Sequence, residues 1–147
     1  MERGEMSWTS LPASEQDEMD DAVAVLTEAA AQGHMEAQSY LGGVYSFGFG
    51  AAQDHARAFK FYSMAAQQGQ ILSQFNLGVL YQNGEGCEQS HSQSVAWYTK
   101  AAQQGHASAQ NNLGNAYRTG EGCEQSYSQS LAWFTKAAQQ GHASDCE

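Results

Sequence analysis

The sequence repeats itself at an interval of 36 residues. Four glycines mark this interval: Gly33, Gly69, Gly105 and Gly141. Three leucines keep it as well, each followed directly by a glycine and four positions later by a tyrosine: Leu41, Leu77 and Leu113. A fixed period of this length indicates an array of repeated units rather than one irregular globule. Because arrays mostly work as extended binding surfaces, the period favours recognition over catalysis.

Each repeat contains two kinds of helix, and the first kind is clearest between Ser90 and Gln104. Its apolar residues are one, three and four positions apart, which is the spacing of one helix face. Ser90 and Gln93 predict a capping box, which recurs one repeat later, and Asp54 predicts the equivalent cap one repeat earlier. Gly105 predicts the end of the helix, because glycine adopts a left-handed backbone most easily.

The second kind of helix runs from about Ala107 to Arg118. Ala109, Leu113 and Tyr117 are four residues apart and therefore lie on one face. The glycine after the leucine has no side chain, which predicts that a neighbouring helix approaches closely there. A Gly-Glu-Gly turn then leads into the next unit. Helix pairs joined by short turns form αα-hairpins, which stack into an α-solenoid.

We therefore predict an all-α protein, an α-solenoid with about 36 residues per repeat. Its predicted segments are a flexible acidic N-terminal arm (1–13), a repeat domain (14–141) made of one helix (about 14–32) and three helix pairs (34–69, 70–105 and 106–141), and residues 142–147. The last segment begins a fourth copy but has Asp145 where Ala37 and Ala109 stand. It is either a tail, where the array ends, or the start of a truncated repeat.

The last two copies are almost the same sequence. Residues 84–109 and 120–145 are identical at 22 of 26 positions, which indicates a duplication with little divergence. Three of the changes are mild and replace His91, Val95 and Tyr98 by tyrosine, leucine and phenylalanine.

The charge of the chain argues against two classes of partner. The formal net charge is −10, and residues 1–28 hold eight acidic residues against the single Arg3. An acidic chain repels phosphate backbones and anionic membrane surfaces, so we expect no nucleic-acid partner. The acidic stretch favours solubility and helix N-terminal charge; an acidic arm that docks a basic partner stays the alternative.

Hydropathy predicts a protein without membrane insertion. No apolar run approaches the roughly 20 residues that span a bilayer. The N-terminal residues also lack the apolar segment of a secretory signal. We therefore expect a cytoplasmic protein.

Two segments carry a resemblance to the Sel-1-like repeat family, a relative of the tetratricopeptide repeat: residues 109–123, AQNNLGNAYRTGEGC, and residues 132–143, AWFTKAAQQGHA. The pattern recurs in order three times within about residues 20–147. The period of 36 residues and the double-glycine turn distinguish it from the tetratricopeptide repeat, whose period is 34. The chain departs from the family pattern at Cys87 and Cys123, which replace a valine, and at Val25 and Phe61, which replace a tryptophan.

The resemblance implies a right-handed superhelix and a scaffold or adaptor that binds other proteins. Members of the family act in signalling, in membrane-protein quality control and in bacterial interplay with hosts. Which of these applies does not follow from the repeats.

Residues capable of chemistry are spread along the array rather than brought together. His34, His106 and His142 share one repeat position, so they cannot converge on a metal ion. Cys87 and Cys123 are one repeat apart, which is too far for a disulfide. We find no nucleophile with a base, no phosphate-binding loop and no paired carboxylates. The sequence therefore predicts no catalytic residue, no metal site and no cofactor, and a protein that is not an enzyme.

Seven aromatic residues are predicted to lie in the core because they recur at helical spacing: Tyr45, Tyr81, Trp97, Tyr98, Tyr117, Trp133 and Phe134.

The second kind of helix contains the recurring pattern Leu-Gly-x-x-Tyr, written LG..Y. By analogy with the tetratricopeptide repeat, this helix lines the concave side of the array. Its non-core positions are the predicted partner-binding residues: Ser39, Tyr40, Gly43, Phe75, Asn76, Val79, Asn111, Asn112, Asn115 and Arg118. Along the array this face is expected to change from mixed to apolar to amide-rich. The asparagines suit the backbone of an extended peptide, and Arg118 suits a carboxylate.

We predict a protein–protein interaction scaffold that binds a peptide or a helix of a partner protein in the concave groove. Two alternatives stay open. One is a structural spacer within a larger repeat protein, and the other is a hydrolase with its site in the groove.

Overall fold

A computed structural model describes residues 12–145, and this part of the chain consists of helices without a strand. The helices are α1 (Ala13–Ala31), α2 (Met35–Phe47), α3 (His55–Gln67), α4 (Ile71–Asn83), α5 (His91–Gln103), α6 (Ala107–Thr119) and α7 (Tyr127–Asp145). The predicted all-α solenoid is confirmed. Apart from its last two residues, the predicted N-terminal arm lies outside the described residues.

Half of the predicted capping box is present. The Oγ atom of Ser90 accepts a hydrogen bond from the backbone N–H of Gln93 at 3.3 Å, and Oδ1 of Asp54 accepts one from Arg57 at 3.1 Å. The backbone N–H of Ser90 instead donates to the carbonyl oxygen of Tyr81 at 2.9 Å. The reciprocal bond from the Gln93 side chain is therefore not needed, because the preceding helix already satisfies this donor.

The repeated glycines end three helices but not the fourth. Gly33, Gly69 and Gly105 have φ angles of +96°, +100° and +97° and follow α1, α3 and α5. After Gly105 the chain folds back, and the N–H of His106 donates to Ala101 at 3.1 Å. Gly141 instead lies inside α7, which continues to Asp145. The sequence there begins a fourth copy but has Asp145 where Ala109 stands in the preceding copy.

The repeated leucines form the centre of the stack, since each is at most 1% exposed. The glycine beside each leucine lets an aromatic ring of the next helix approach. A Cβ atom at Gly78 would lie 2.7 Å from the ring of Tyr98, and one at Gly114 would lie 3.0 Å from Phe134. The predicted close approach is therefore confirmed, and the approaching group is an aromatic side chain.

Two of the aromatic residues predicted for the core, Tyr45 and Tyr98, are buried. The others are half-buried: Tyr81, Trp97, Tyr117, Trp133 and Phe134. Because repeats stack in one dimension, a ring at the margin of the stack keeps one side near solvent. At Trp97 that side is covered by Lys100, whose ammonium lies 4.3 Å from the ring centre.

Buried glutamines connect each repeat to its neighbours. Gln74 is 4% exposed, and its side-chain nitrogen donates to the backbone oxygen of Ala66 at 3.3 Å. Its side-chain oxygen accepts a hydrogen bond from Gln104 at 2.7 Å. Gln38 and Gln110 make the same two bonds in their repeats. Both ends of each buried amide are therefore paired, as buried polar groups require.

Candidate protein-interaction surface

The LG..Y helices α2, α4 and α6 each form one wall of a cleft. The first cleft lies between α1 and α2, the second between α3 and α4, and the third between α5 and α6. The three clefts occupy the same place in successive repeats. The A-position of each cleft, defined as Tyr40, Asn76 and Asn112, recurs at the interval of 36 residues.

The first cleft is apolar. Met19 and Val23 of α1 face Tyr40 and Val44 of α2 across a space of about 340 Å³. Phe49, in the turn after α2, closes one end and meets the Tyr40 ring edge to face, with the ring centres 6.1 Å apart. Tyr40 is nevertheless 56% exposed, so this cleft presents an aromatic surface to solvent.

The second cleft is mixed in character and opens to about 660 Å³. Phe47, which is 75% exposed, and Val79 provide its apolar surface, and Asn76 provides an amide. At one end Nδ1 of His55 lies 3.4 Å from a carboxylate oxygen of Glu85.

The third cleft is rich in amides and is an open space of about 390 Å³. Asn112 and Asn115 of α6 line it together with Gln82 and Tyr98. The hydroxyl of Tyr98 donates to Oε1 of Gln82 at 2.7 Å. Burial raises the pKa of Tyr98, while hydrogen bonds with Ser94 and Asn112 partly offset this rise. The hydroxyl therefore stays protonated at neutral pH and acts as a hydrogen-bonding group.

The order of polarity differs from the expectation. The clefts change from apolar to mixed to amide-rich, whereas the LG..Y positions alone indicated that the mixed face comes first. The reason is that α1 supplies Met19 and Val23 to the first cleft, next to Tyr40. The LG..Y positions form only one wall of each cleft.

Five of the predicted binding residues line clefts: Tyr40, Asn76, Val79, Asn112 and Asn115. Gly43 lies near the first and second clefts, since a Cβ atom there would be 3.6 Å from Oη of Tyr62 and 3.8 Å from the Phe49 ring.

The other four predicted residues have different surroundings. Phe75 is half-buried, with its ring centre 5.7 Å from that of Tyr98 and 4.7 Å from that of His106, so the fold itself uses much of this side chain. Ser39 is half-buried and Asn111 is exposed. Arg118 is exposed and donates to Oδ1 of Asn115 at 3.4 Å.

Sequence reasoning missed the opposite wall of the clefts and its closing residue. The wall position is occupied by Met19, His55 and His91, and the closing position by Phe49, Glu85 and Glu121. Both sets follow the interval of 36 residues. The interval was therefore the available signal, although it does not tell which positions meet across two helices.

His106, Cys87 and Cys123 lie outside the three clefts. Nδ1 of His106 accepts a hydrogen bond from the N–H of Ala109 at 3.1 Å and caps α6, and burial lowers the pKa of this histidine. Burial raises the pKa of Cys87 and of Cys123, and both thiols are free. Within residues 12–145, no three His, Cys, Asp or Glu side chains are grouped closely enough to hold a metal ion. In the same range, no helix has the length and apolar character needed to cross a membrane.

Seventeen chains among the solved structures resemble this one. A protective antigen of uropathogenic Escherichia coli strains, described as displaying an SLR fold, is 39% identical with a TM-score of 0.81 over 84% of this chain and 26% of that chain. A Sel1 repeat protein from Oxalobacter formigenes is 33% identical with a TM-score of 0.76, over 87% of this chain and 55% of that one. This chain therefore spans about a quarter and about half of these two proteins.

Helicobacter pylori cysteine rich protein B shares the fold at 20% identity, with a TM-score of 0.65 over 86% of this chain and 90% of that chain. None of the curated proteins matches the chain.

The sequence profile of the Sel1 repeat matches three consecutive segments, residues 36–70, 71–106 and 107–142. Each segment begins at an LG..Y helix and continues into the helix of the first kind that follows it. Proteins built from this repeat are in general interaction scaffolds rather than enzymes. With three matched copies in order, the chain belongs to the Sel1 repeat family.

Proposed function

We propose that this protein is an interaction scaffold that binds an extended peptide or a helix of a partner protein along the three clefts, on the concave side of the array. The observation that carries the proposal is the A-position of the clefts. Core positions keep their residue type from copy to copy, whereas this position changes from Tyr40 to Asn76 to Asn112. The clefts thus differ in chemistry on a constant framework, which suits recognition of one particular chain.

The chemistry of the clefts specifies the ligand. The aromatic and aliphatic surface of the first cleft binds an apolar side chain, because that contact removes apolar area from water. The amides of Asn112, Asn115 and Gln82 both donate and accept, so they suit the backbone of a peptide in the third cleft. Arg118 beside this cleft suits a carboxylate of the ligand.

Peptide selection followed by calorimetry tests the proposal. A displayed peptide library is selected on the immobilised chain, and the affinity of enriched peptides is measured by isothermal titration calorimetry. Removing two hydrogen-bonding amides with Asn112→Ala and Asn115→Ala is expected to weaken binding about tenfold or more. Gln103→Ala, an exposed amide on α5, is the matched control and leaves the affinity unchanged.

Equal melting temperatures of wild type and variants show that the fold is intact. If no peptide is enriched, or if the double variant binds as tightly as wild type, the clefts are not the binding site. The chain then acts as a spacer in a larger repeat protein or binds elsewhere.

A further inference from the structure

Helix α1 is longer than its counterparts in the next two repeats. The helices α3 and α5 both begin at the position equivalent to Met19, whereas α1 begins six residues earlier, at Ala13. At the usual rise per residue, this acidic extension (residues 13–18) adds about 9 Å of helix before Met19. A Cβ atom at Gly50, next to Phe49, would lie 3.7 Å from Cε of Met19. The extension therefore continues the α1 wall beyond the end of the first cleft that Phe49 closes.

The acidic extension carries three carboxylates. Glu15, Asp17 and Glu18 lie in it, and all three are exposed. Glu15 lies four residues before Met19 and Glu18 lies four residues before Ala22, and these two apolar residues line the first cleft. Because residues four apart share a helix face, both glutamates continue the stripe that lines the cleft.

No lysine or arginine of α1 or α2 balances this charge. Residues 12–50 contain no lysine or arginine and seven acidic residues, all of them exposed: Glu15, Asp17, Glu18, Asp20, Asp21, Glu28 and Glu36. The two helices of the third cleft differ, since residues 91–119 contain Lys100 and Arg118 and no acidic residue. The negative charge is therefore concentrated at the first cleft.

Three exposed aromatic rings are grouped around the end of the same cleft. Phe49 meets Tyr40 edge to face and stacks on Phe47, with the centres of the two phenylalanine rings 6.4 Å apart. The faces of aromatic rings attract cations. The chain makes such a contact in the next repeat, where the guanidinium of Arg57 lies 5.4 Å from the ring centre of Tyr45. The carboxylates and the rings therefore favour the same chemical group, a guanidinium or an ammonium.

Neighbouring repeats leave this kind of cleft open. The second and third clefts lie further along the array, with repeats packed beside them, and both are open to solvent. A repeat packed before α1 would meet a different side of that helix, where Val25 stands in the place of Phe61. Phe61 stacks on Tyr45 of the preceding helix, with the ring centres 5.8 Å apart. The arrangement of the repeats thus keeps the first cleft available to a separate ligand.

We propose that the first cleft binds a basic segment of the partner protein. One apolar side chain of this segment enters the cleft, and the arginines or lysines beside it contact the acidic extension and the aromatic rings. The inference rests on the proposed function and names the chemistry of its ligand at one cleft. A second copy of this chain does not have that chemistry, because it brings a formal charge of −10, and an anionic membrane surface is repelled in the same way.

Three synthetic peptides test this chemistry. The probe GSRRLRRSG presents a leucine between two pairs of arginines, GSEELEESG reverses its charge, and GSRRSRRSG removes its apolar side chain. Each peptide is titrated into the nitrogen-15-labelled full chain, and two-dimensional NMR spectra report weak binding together with its location. GSRRLRRSG is expected to bind saturably and to shift the amide signals of Tyr40, Phe49 and Gly50. The other two peptides are expected to bind at least about tenfold more weakly.

Variants of the chain locate the contact. The variant with both Glu15→Gln and Glu18→Gln is expected to bind GSRRLRRSG about threefold more weakly or worse, because it loses two exposed charge contacts. The variant with both Glu28→Gln and Glu36→Gln is the matched control, since it removes the same charge from α1 and α2 far from the acidic extension. In about 0.15 M salt this control is expected to bind within about twofold of wild type. Tyr40→Ser removes an aromatic wall and is expected to weaken binding about tenfold.

Absent binding of GSRRLRRSG overturns the proposal, as do equal affinities of the two charge variants when both melt like wild type. Evidence for another occupant also overturns it. Such evidence is a nuclear Overhauser contact between residues 1–11 and Tyr40 in the free chain, or a wild-type dimer that Tyr40→Ser converts to a monomer. A library-selected peptide that Asn112→Ala with Asn115→Ala weakens, but the first charge variant does not, overturns this inference alone, because the proposed function then stands.

Discussion

The ring of Tyr62 lies directly against the backbone of Gly42, where a Cβ atom would be 2.6 Å from two ring carbons. The adjacent Gly43 has more room, since its Cβ atom would lie 3.6 Å from the nearest atom, Oη of Tyr62. Both glycines lie inside α2. The pair therefore separates the effect of close packing from that of helix propensity.

We expect opposite effects of alanine at these two positions. Gly42→Ala forces the Tyr62 ring to move and is expected to lower the free energy of unfolding by about 1–3 kcal/mol. Gly43→Ala is expected to raise it by up to about 1 kcal/mol, because alanine favours the helix. Urea unfolding of both variants checks this, and a Gly42→Ala protein as stable as wild type would contradict the packing argument.

The paired side chains of the buried glutamines Gln38, Gln74 and Gln110, which we call the glutamine ladder, are expected to contribute measurably to stability. Gln74→Leu leaves the side-chain nitrogen of Gln104 and the carbonyl oxygen of Ala66 without this partner, which costs about 1–3 kcal/mol. Gln103→Leu, at an exposed position of α5, serves as the control and changes stability by no more than about 0.5 kcal/mol. Equal denaturation midpoints for the two variants would show that the ladder is energetically silent.

His106 is expected to make stability depend on pH. Burial lowers the pKa of His106 in the folded state, so the unfolded chain binds the proton more readily. The contribution of His106 to the free energy of unfolding is therefore complete above the pKa of the unfolded histidine, about 6.5. This contribution is lost as the pH falls from there through the lower pKa of the folded state. Protonation also removes the Nδ1 acceptor that caps α6.

Replacement by asparagine tests this dependence, because Asn caps a helix without titrating. Between pH 7.5 and pH 5, His106→Asn is expected to lose less stability than wild type. His34→Asn is the control, since His34 occupies the equivalent position but is exposed and makes no side-chain cap bond. Identical slopes for all three proteins would exclude the proposed role.

Cys87 is expected to react slowly with alkylating agents. Burial raises the pKa of its thiol, and the charge of Glu85 raises it further, so the reactive thiolate is scarce near pH 8. Glu85→Gln is expected to speed the reaction of Cys87. The equivalent Glu121→Gln should not speed that of Cys123, whose pKa is raised by burial alone. Mass spectrometry of iodoacetamide labelling in a Cys146→Ser background distinguishes the two sites.

The repeating framework could be predicted from the sequence, because each element of it depends on local pattern. The interval of 36 residues identifies Leu77 as core and Gly78 as a contact point, and both positions are buried. The cap at Ser90 was equally visible, since capping involves residues three positions apart. The hydrogen-bond partner of the Ser90 backbone N–H could not be predicted in this way, because it is the carbonyl oxygen of Tyr81 on another helix.

The sequence by itself determined the all-α repeat architecture and the LG..Y positions that vary, since these follow from local propensity and from a strict period. Only the tertiary structure decided which side chains meet across two helices. It placed Met19 of α1 opposite Tyr40 and linked Gln74 to Gln104. It also showed that α7 continues through Gly141. The physical reason is that glycine permits the backbone conformation of a turn but does not require it. Each glycine that does form a turn here is followed by a helix that packs back on the array.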